Sequence, residues 1–273
     1  MQSQGTPALP HLFQLPPPYD RFEAVRDPVA LQPDALPDAA LLALGVSAPR
    51  DEWPLVTGMV PWLRARFPAA PVVLRVRRRP SAEDLDWVRR AGALHVRAVL
   101  FEGEPTRVRL QRSLTEPFGF PEEVEEWLTL RQPTLAPGIV RLIREIVAFA
   151  PGYAEVGELL ARVGRAERTV RTWFHEAGIP GPGKWLAAAH AVYAALRLQR
   201  DGRASLLTIA VESGYSDHSS LSRQCLRLFG VRPGGIRGTL GWEWLVDRWL
   251  RRVAAEAGSG RFAHRSREVA PLM

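Results

Sequence analysis

The stretch ASLLTIAVESGYSDHSSLSRQCLRLFGVRPGGIR, residues 204–237, decides the fold of the C-terminal half. Residues 206–213 read as a short helix, which Gly214-Tyr215-Ser216 interrupts. A second helix is expected over residues 217–229. Leu221, Cys225, Leu228 and Phe229 recur in it at the spacing of one buried face. Asp217 stands at the start of that helix, where a carboxylate can accept from first-turn amides. Two short amphipathic helices around a tight glycine turn outline a helix-turn-helix.

Reading upstream, the unit occurs a second time. In VGELLARVGRAERTVRTWFHEAGIPGPGKWL, residues 156–186, Val156, Leu159, Leu160 and Val163 form one stripe, and Gly164 breaks it. Val170, Trp173, Phe174 and Ala177 form the next stripe, which Gly178 ends. Val170 and Leu221, the equivalent inward positions, lie 51 residues apart. A longer helix is expected between the copies, from about residue 182 to 200. At 1.5 Å per residue it spans ~27 Å, so the two units could address successive major grooves, ~34 Å apart on B-DNA. Ile139, Leu142, Ile143 and Ile146 predict a helix ahead of the first unit.

Charge agrees with this placement. The chain has 273 residues and a formal net charge of +7, with 36 basic side chains of which only Lys184 is a lysine. Residues 1–138 carry 16 basic and 17 acidic side chains, whereas residues 151–241 carry 12 and 7. The excess sits where phosphates would be met.

The N-terminal half reads differently. Residues 1–38 hold eight prolines, among them Pro16-Pro17-Pro18, and are expected to be a poorly ordered extension. Residues 39–115 alternate strand-like and helix-like stretches. Strands are expected at 40–44, 71–76 and 94–100. Helices are expected around Val56 to Phe67, from a capping Ser81 through Leu85 and Val88, and over 106–114. Such alternation implies a small parallel α/β domain. Residues 116–138 read as a linker with an acidic helix from Pro121. Residues 241–273 read as a C-terminal helix and tail, with Trp242, Leu245, Val246, Trp249 and Val253 on one face, suited to core packing or to dimerisation.

Several chemistries are excluded. Cys225 is the single cysteine, so neither an intrachain disulfide nor a Cys-based zinc cage can form, which suits a reducing cytoplasm. Its place on an apolar face favours packing over redox sensing. The six histidines lack HExxH and CxxC partners, so no metal is expected. Residues 178–185, GIPGPGKW, approach a phosphate-binding loop but end in Trp185, which has no hydroxyl for Mg²⁺. His218 beside Ser219 and Ser220 lacks a nucleophile elbow. No cofactor and no enzymatic activity are expected. No membrane span is expected, and the N-terminus has no signal-peptide pattern.

Residues 204–237, with their GYSDxSSxSRxxxxxFGxxPxxxR pattern, resemble the C-terminal signature of the AraC/XylS family of transcription regulators, and residues 156–186 resemble that family's first helix-turn-helix. The resemblance covers residues 139–237, within a DNA-binding domain expected over 139–240. It implies an all-α, homeodomain-like double helix-turn-helix that binds double-stranded promoter DNA, with RNA polymerase and a second copy of the chain as further candidate partners. It also assigns DNA contacts, to Arg168, Thr169, Arg171 and Thr172 in the first recognition helix and to His218, Ser219, Ser220, Ser222 and Arg223 in the second. Their chemistry fits, because arginine reaches guanine O6 and N7 and hydroxyls bond bases or phosphates. Ala166 replaces the family's usual capping serine. Thr172 and His190 stand where arginine is common, and Cys225 stands where phenylalanine is frequent. These departures leave a second reading open, a protein-interaction module with a vestigial DNA-binding domain, acting through its acidic and Trp-rich helices. FPAAPVVLRV (67–76) and DWVRRAGALHVRAVL (86–100) resemble the second half of a receiver domain, truncated and without its phosphoacceptor aspartate. An unrelated small α/β domain is the alternative.

Overall fold

The structure is a computed structural model, and it describes residues 12–47, 51–79, 81, 84–117 and 119–256. The chain divides into two compact units, Met1–Leu110 and Gln111–Met273.

The first unit is built on a five-stranded sheet in the order β2-β1-β3-β4-β5. Its strands are β1 (Leu12–Leu15), β2 (Glu23–Ala24), β3 (Leu41–Val46), β4 (Val72–Val76) and β5 (Val99–Phe101). Strands β3, β4 and β5 are parallel and joined through α1 (Trp53–Arg66) and α2 (Asp84–Ala93), as the alternation predicted. Every residue of β3 is buried, the signature of a strand covered on both faces. Leu42, Leu44 and Val46 pack with Val56, Val60, Leu63 and Phe67 into one core, where Trp87 and Ala91 of α2 also sit. Leu85, within the expected helix, is 76% exposed. Trp87 and Ala91, four residues apart, take the inner face instead. The expected strand at 94–100 contracts to β5, because Leu94, His95 and Val96 donate back to the end of α2.

The sheet is mixed rather than wholly parallel. Strand β1 pairs antiparallel with β3, Leu12 opposite Leu44 and Leu15 opposite Leu41, and β2 pairs antiparallel with β1. Both strands lie in the segment read as a loose extension, so from residue 12 onward that expectation is corrected; residues 1–11 lie outside the described ones. Three contacts hold the segment down. Tyr19, fully buried, donates its hydroxyl to the Ala39 carbonyl. Arg66 donates to the carbonyls of Leu31 and Val29. The Arg75 guanidinium lies over the rings of Phe22 and Phe13, at 4.2 and 5.1 Å from their centroids. At the start of α2, Asp84 is buried against Arg78 and accepts from Ser81 N at 2.6 Å. Burial raises its pKa, but the bonds from Ser81 and Arg78 outweigh that and hold the carboxyl below its ordinary 3.8. Helix α3 (Thr106–Thr115) carries the boundary between the units.

The second unit is helical. It comprises α4 (Phe120–Arg131), α5 (Pro137–Phe149), α6 (Val156–Arg162), α7 (Glu167–Glu176), α8 (Pro182–Arg200), α9 (Leu206–Glu212), α10 (His218–Phe229), α11 (Pro233–Arg237) and α12 (Glu243–Glu256). The central α8 buries Trp185, Leu186, Val192, Leu196 and Leu198, and its many alanines let neighbouring helices approach closely. Residues 116–138, read as a linker, contain α4, which packs along α5.

Helix α12 spends its apolar face inside this unit. Trp242 stacks edge-on against Phe120 and Trp127, and Trp249 against Trp185. Asp247, buried, is ion-paired with buried Arg131 of α4 and also with Arg251 at 2.6 Å. The Arg131 guanidinium lies 5.0 Å from the Trp127 ring centroid. The acids of α4 are engaged as well. Glu123 accepts from the Trp242 indole at 3.2 Å, and Glu122 and Glu125 face Arg144 at 3.5 and 3.2 Å. The tryptophans of the C-terminal segment are thus buried within this unit, whereas the acidic face of α4 keeps Glu122 61% exposed.

Candidate nucleic-acid interface

The two helix-turn-helix units have the same construction. In the first, Gly164 ends α6 at φ +69°, its amide donates to Ala161 O at 3.0 Å, and the Arg165 amide donates to Leu160 O at 2.8 Å. In the second, Gly214 ends α9 at φ +81°, its amide donates to Val211 O at 3.0 Å, and the Tyr215 amide donates to Ala210 O at 2.9 Å. Each turn needs a residue in the left-handed region, which glycine enters without a Cβ penalty. The turns are offset by 50 residues and the inward positions Val170 and Leu221 by 51, so the second turn is one residue longer.

The ends of α7 and α10 differ. The Asp217 side chain accepts from Ser220 N at 2.8 Å and from the hydroxyls of Ser216 and Ser220 at 3.1 and 3.2 Å. The Ser220 amide contributes most to holding the Asp217 carboxyl below its usual 3.8. Ala166, the corresponding residue of the first unit, makes no side-chain cap. Its first-turn amides have only water or a ligand to meet them.

The predicted contact residues fall on the outer faces of these two helices. Arg168, Thr169, Arg171 and Thr172 are exposed on α7, opposite the fully buried Val170 and Phe174. His218, Ser219 and Arg223 are exposed on α10, and Ser220 and Ser222 are half-buried at its edge, opposite Leu221 and Cys225. Thr172 Oγ1 donates to Arg168 O at 3.1 Å and Ser222 Oγ to His218 O at 2.8 Å. In this state both hydroxyls turn lone pairs outward, as acceptors. The Arg223 guanidinium donates to Ser220 Oγ at 3.2 Å, which steadies it over the first turn of α10.

Two features of α7 depart from the sequence reading. Trp173, expected inward, is 38% exposed; the Arg165 guanidinium lies 6.0 Å from its ring centroid. It borders an open groove of about 730 Å³ that Leu135, Ile139, Arg141 and Glu176 also line. At 100° per residue, position 173 lies well off the axis through 170 and 174, a signal available in the sequence. The second feature is Glu167, in the first turn of α7, which pairs with Arg171 at 2.5 Å.

The spacing of the two units is held by residues outside the outer faces of α7 and α10. Arg237 donates to the carbonyls of Asp201, Gly202 and Ala204, pinning the connection between α8 and α9. Gln199, buried, donates to Gly241 O at 3.1 Å and accepts from Gly241 N at 3.0 Å. Arg197 of α8 pairs with Glu212 of α9 at 2.5 Å. His190, where the family often has arginine, bonds Ala150 O at 2.6 Å and so serves packing. Cys225 is fully buried, and burial pushes its thiol up to about 12. Residues 178–181 form the loop leading into α8.

Among the described residues, no group of three or more His, Cys, Asp or Glu side chains could hold a metal ion, and no helix is long and apolar enough to cross a membrane. No curated protein matches the chain. Among solved structures the chain is similar to the transcriptional regulator CdpR from Pseudomonas aeruginosa, at 16% identity and a TM-score of 0.33, over 73% of this chain and 68% of that one. The family match lies in the second unit: residues 159–239, from within α6 to just past α11, match the helix-turn-helix domain family.

Proposed function

We propose that the chain is a sequence-specific regulator of transcription of the AraC/XylS type, which binds double-stranded promoter DNA with α7 and α10 in successive major grooves. The observation that carries this reading is the duplicated unit, with equivalent glycine turns and two polar outer faces on the second helices. Arg168, Thr169, Arg171 and Thr172 read one groove, and His218, Ser219, Ser220, Ser222 and Arg223 read the next. Helix α8, 19 residues long, spans ~28 Å between them. At the start of α10 the Asp217 carboxylate already takes the Ser220 amide, so contact with DNA there falls to the side chains of His218 and Ser219. The protein acts in the cytoplasm without catalysing a reaction. A second copy and RNA polymerase are the partners to be sought after DNA.

The test is selection of binding duplexes from a random pool, followed by titration of the selected site against a scrambled one. Observed affinity falls steeply with salt, because arginines displace condensed cations. Arg223→Ala weakens the selected site by ~1–3 kcal/mol and relaxes preference at one base position. Recovery of no preferred duplex by the intact chain refutes the reading.

A further inference from the structure

Glu167 is the one acidic residue in the first turn of either reading helix; His218 takes its place on α10, which carries no acid from end to end. One ion pair and one close approach place its carboxylate. One oxygen pairs with Arg171 at 2.5 Å, one helical turn on. The other lies over α6 at Gly157, where an added Cβ would come within 3.0 Å of it. The exposures differ accordingly: the Glu167 side chain is 33% exposed and that of Arg171 68%. The carboxylate is the more covered partner, and the guanidinium, though two-thirds exposed, is paired with it along the helix surface.

On a surface that meets phosphates, this arrangement has a consequence. An arginine free to extend binds any phosphate, whatever the sequence, whereas one already paired gains less from a phosphate. A carboxylate at the lip of the groove also repels the backbone at every wrong register. Against a guanine the balance changes, because bidentate contact with O6 and N7 offers two directed bonds.

Resting on the DNA-binding reading above, we propose that Glu167 is a specificity-determining residue: it withholds Arg171 from phosphates, so that Arg171 engages only where a base edge outcompetes the pair. Glu167 lowers nonspecific affinity and thereby widens the gap between right and wrong sites.

The experiment compares wild type, Glu167→Gln, Arg171→Ala and the double variant on a selected duplex and a scrambled one, across a fourfold range of salt. In Glu167→Gln the freed arginine neutralises one more phosphate on the scrambled duplex. The log–log salt slope there steepens by about 0.9, an extra loss of about 3.5-fold across the range. Nonspecific affinity at low salt rises, and the ratio between the two duplexes shrinks. Arg171→Ala in the same chain abolishes the steeper slope and most of the gain in nonspecific affinity, the remainder being the repulsion lost with the carboxylate. Gly157→Ala, which displaces the carboxylate without removing it, shifts the ratio in the same direction. Because Glu167 also favours the start of α7, Ala166→Ser is combined with Glu167→Gln to restore a cap, and the ratio still shrinks. Unchanged nonspecific affinity and slope in Glu167→Gln, with wild type binding normally, overturn this inference alone. Failure of wild type to bind any duplex overturns the reading beneath it as well.

Discussion

Removing the carboxylate of Asp247 tests how the second unit is held together. Asp247 and Arg131 are both more than nine-tenths buried, and Asp247 also takes the Nε of Arg251. Burial drags the Arg131 pKa down while the Asp247 charge pulls it back, so each ion depends on the other. Asp247→Ala leaves a guanidinium buried against the Trp127 ring without its carboxylate. Breaking one side of such a pair costs about 3–5 kcal/mol, against a total stability of about 5–15 kcal/mol for a typical domain. With a urea slope of about 2 kcal/mol per molar, the midpoint falls by about 1.5–2.5 M. Urea unfolding followed by tryptophan fluorescence measures it, since Trp127 and Trp242 pack beside the pair. The double variant Arg131→Met with Asp247→Leu removes both charges and recovers most of the loss, because desolvation is then no longer opposed by an incomplete pair. A midpoint shift below about 0.5 M for Asp247→Ala, or a double variant as unstable as the single, refutes the reasoning.

Three other outcomes follow from the structure. Ala166→Ser supplies the missing cap of α7 and raises stability by ~0.5–2 kcal/mol, read as a higher urea midpoint. The buried, proton-bound Cys225 resists thiol reagents in native protein and reacts at the rate of unfolding; rapid labelling under native conditions would contradict its packing. Asp84 has a folded pKa below its ordinary value, so its contribution is fully present above about pH 4 and fades as pH falls through the folded pKa. Asp84→Asn therefore lowers stability at neutral pH and flattens the acid limb of the stability–pH profile, which unfolding midpoints between pH 2 and 7 reveal.

The part of the fold that was legible in the sequence is the part written in local signals. A helix-turn-helix is specified by apolar spacing within a dozen residues, a glycine able to take positive φ, and a capping side chain. Gly164, Gly214 and Asp217 announce themselves without long-range information. The parallel strands were legible for a similar reason: β3 is apolar on both faces and β4 on all but Arg75, and a covered sheet accommodates that.

What escaped the sequence depends on partners far along the chain. Strand β1 is four residues beside a proline run, and it becomes a strand because β3, more than 25 residues later, accepts its backbone bonds. Trp242 and Trp249 suited a core first and a dimer as the alternative, and packing against Trp127 of α4 and Trp185 of α8 consumed them. The amino-acid sequence alone therefore specified that there are two helix-turn-helix units and which polar side chains their second helices turn outward. Tertiary packing decided how those helices are braced, which charges are restrained and where the remaining apolar faces go, because burial and pairing are properties of elements meeting in space and not of any one segment.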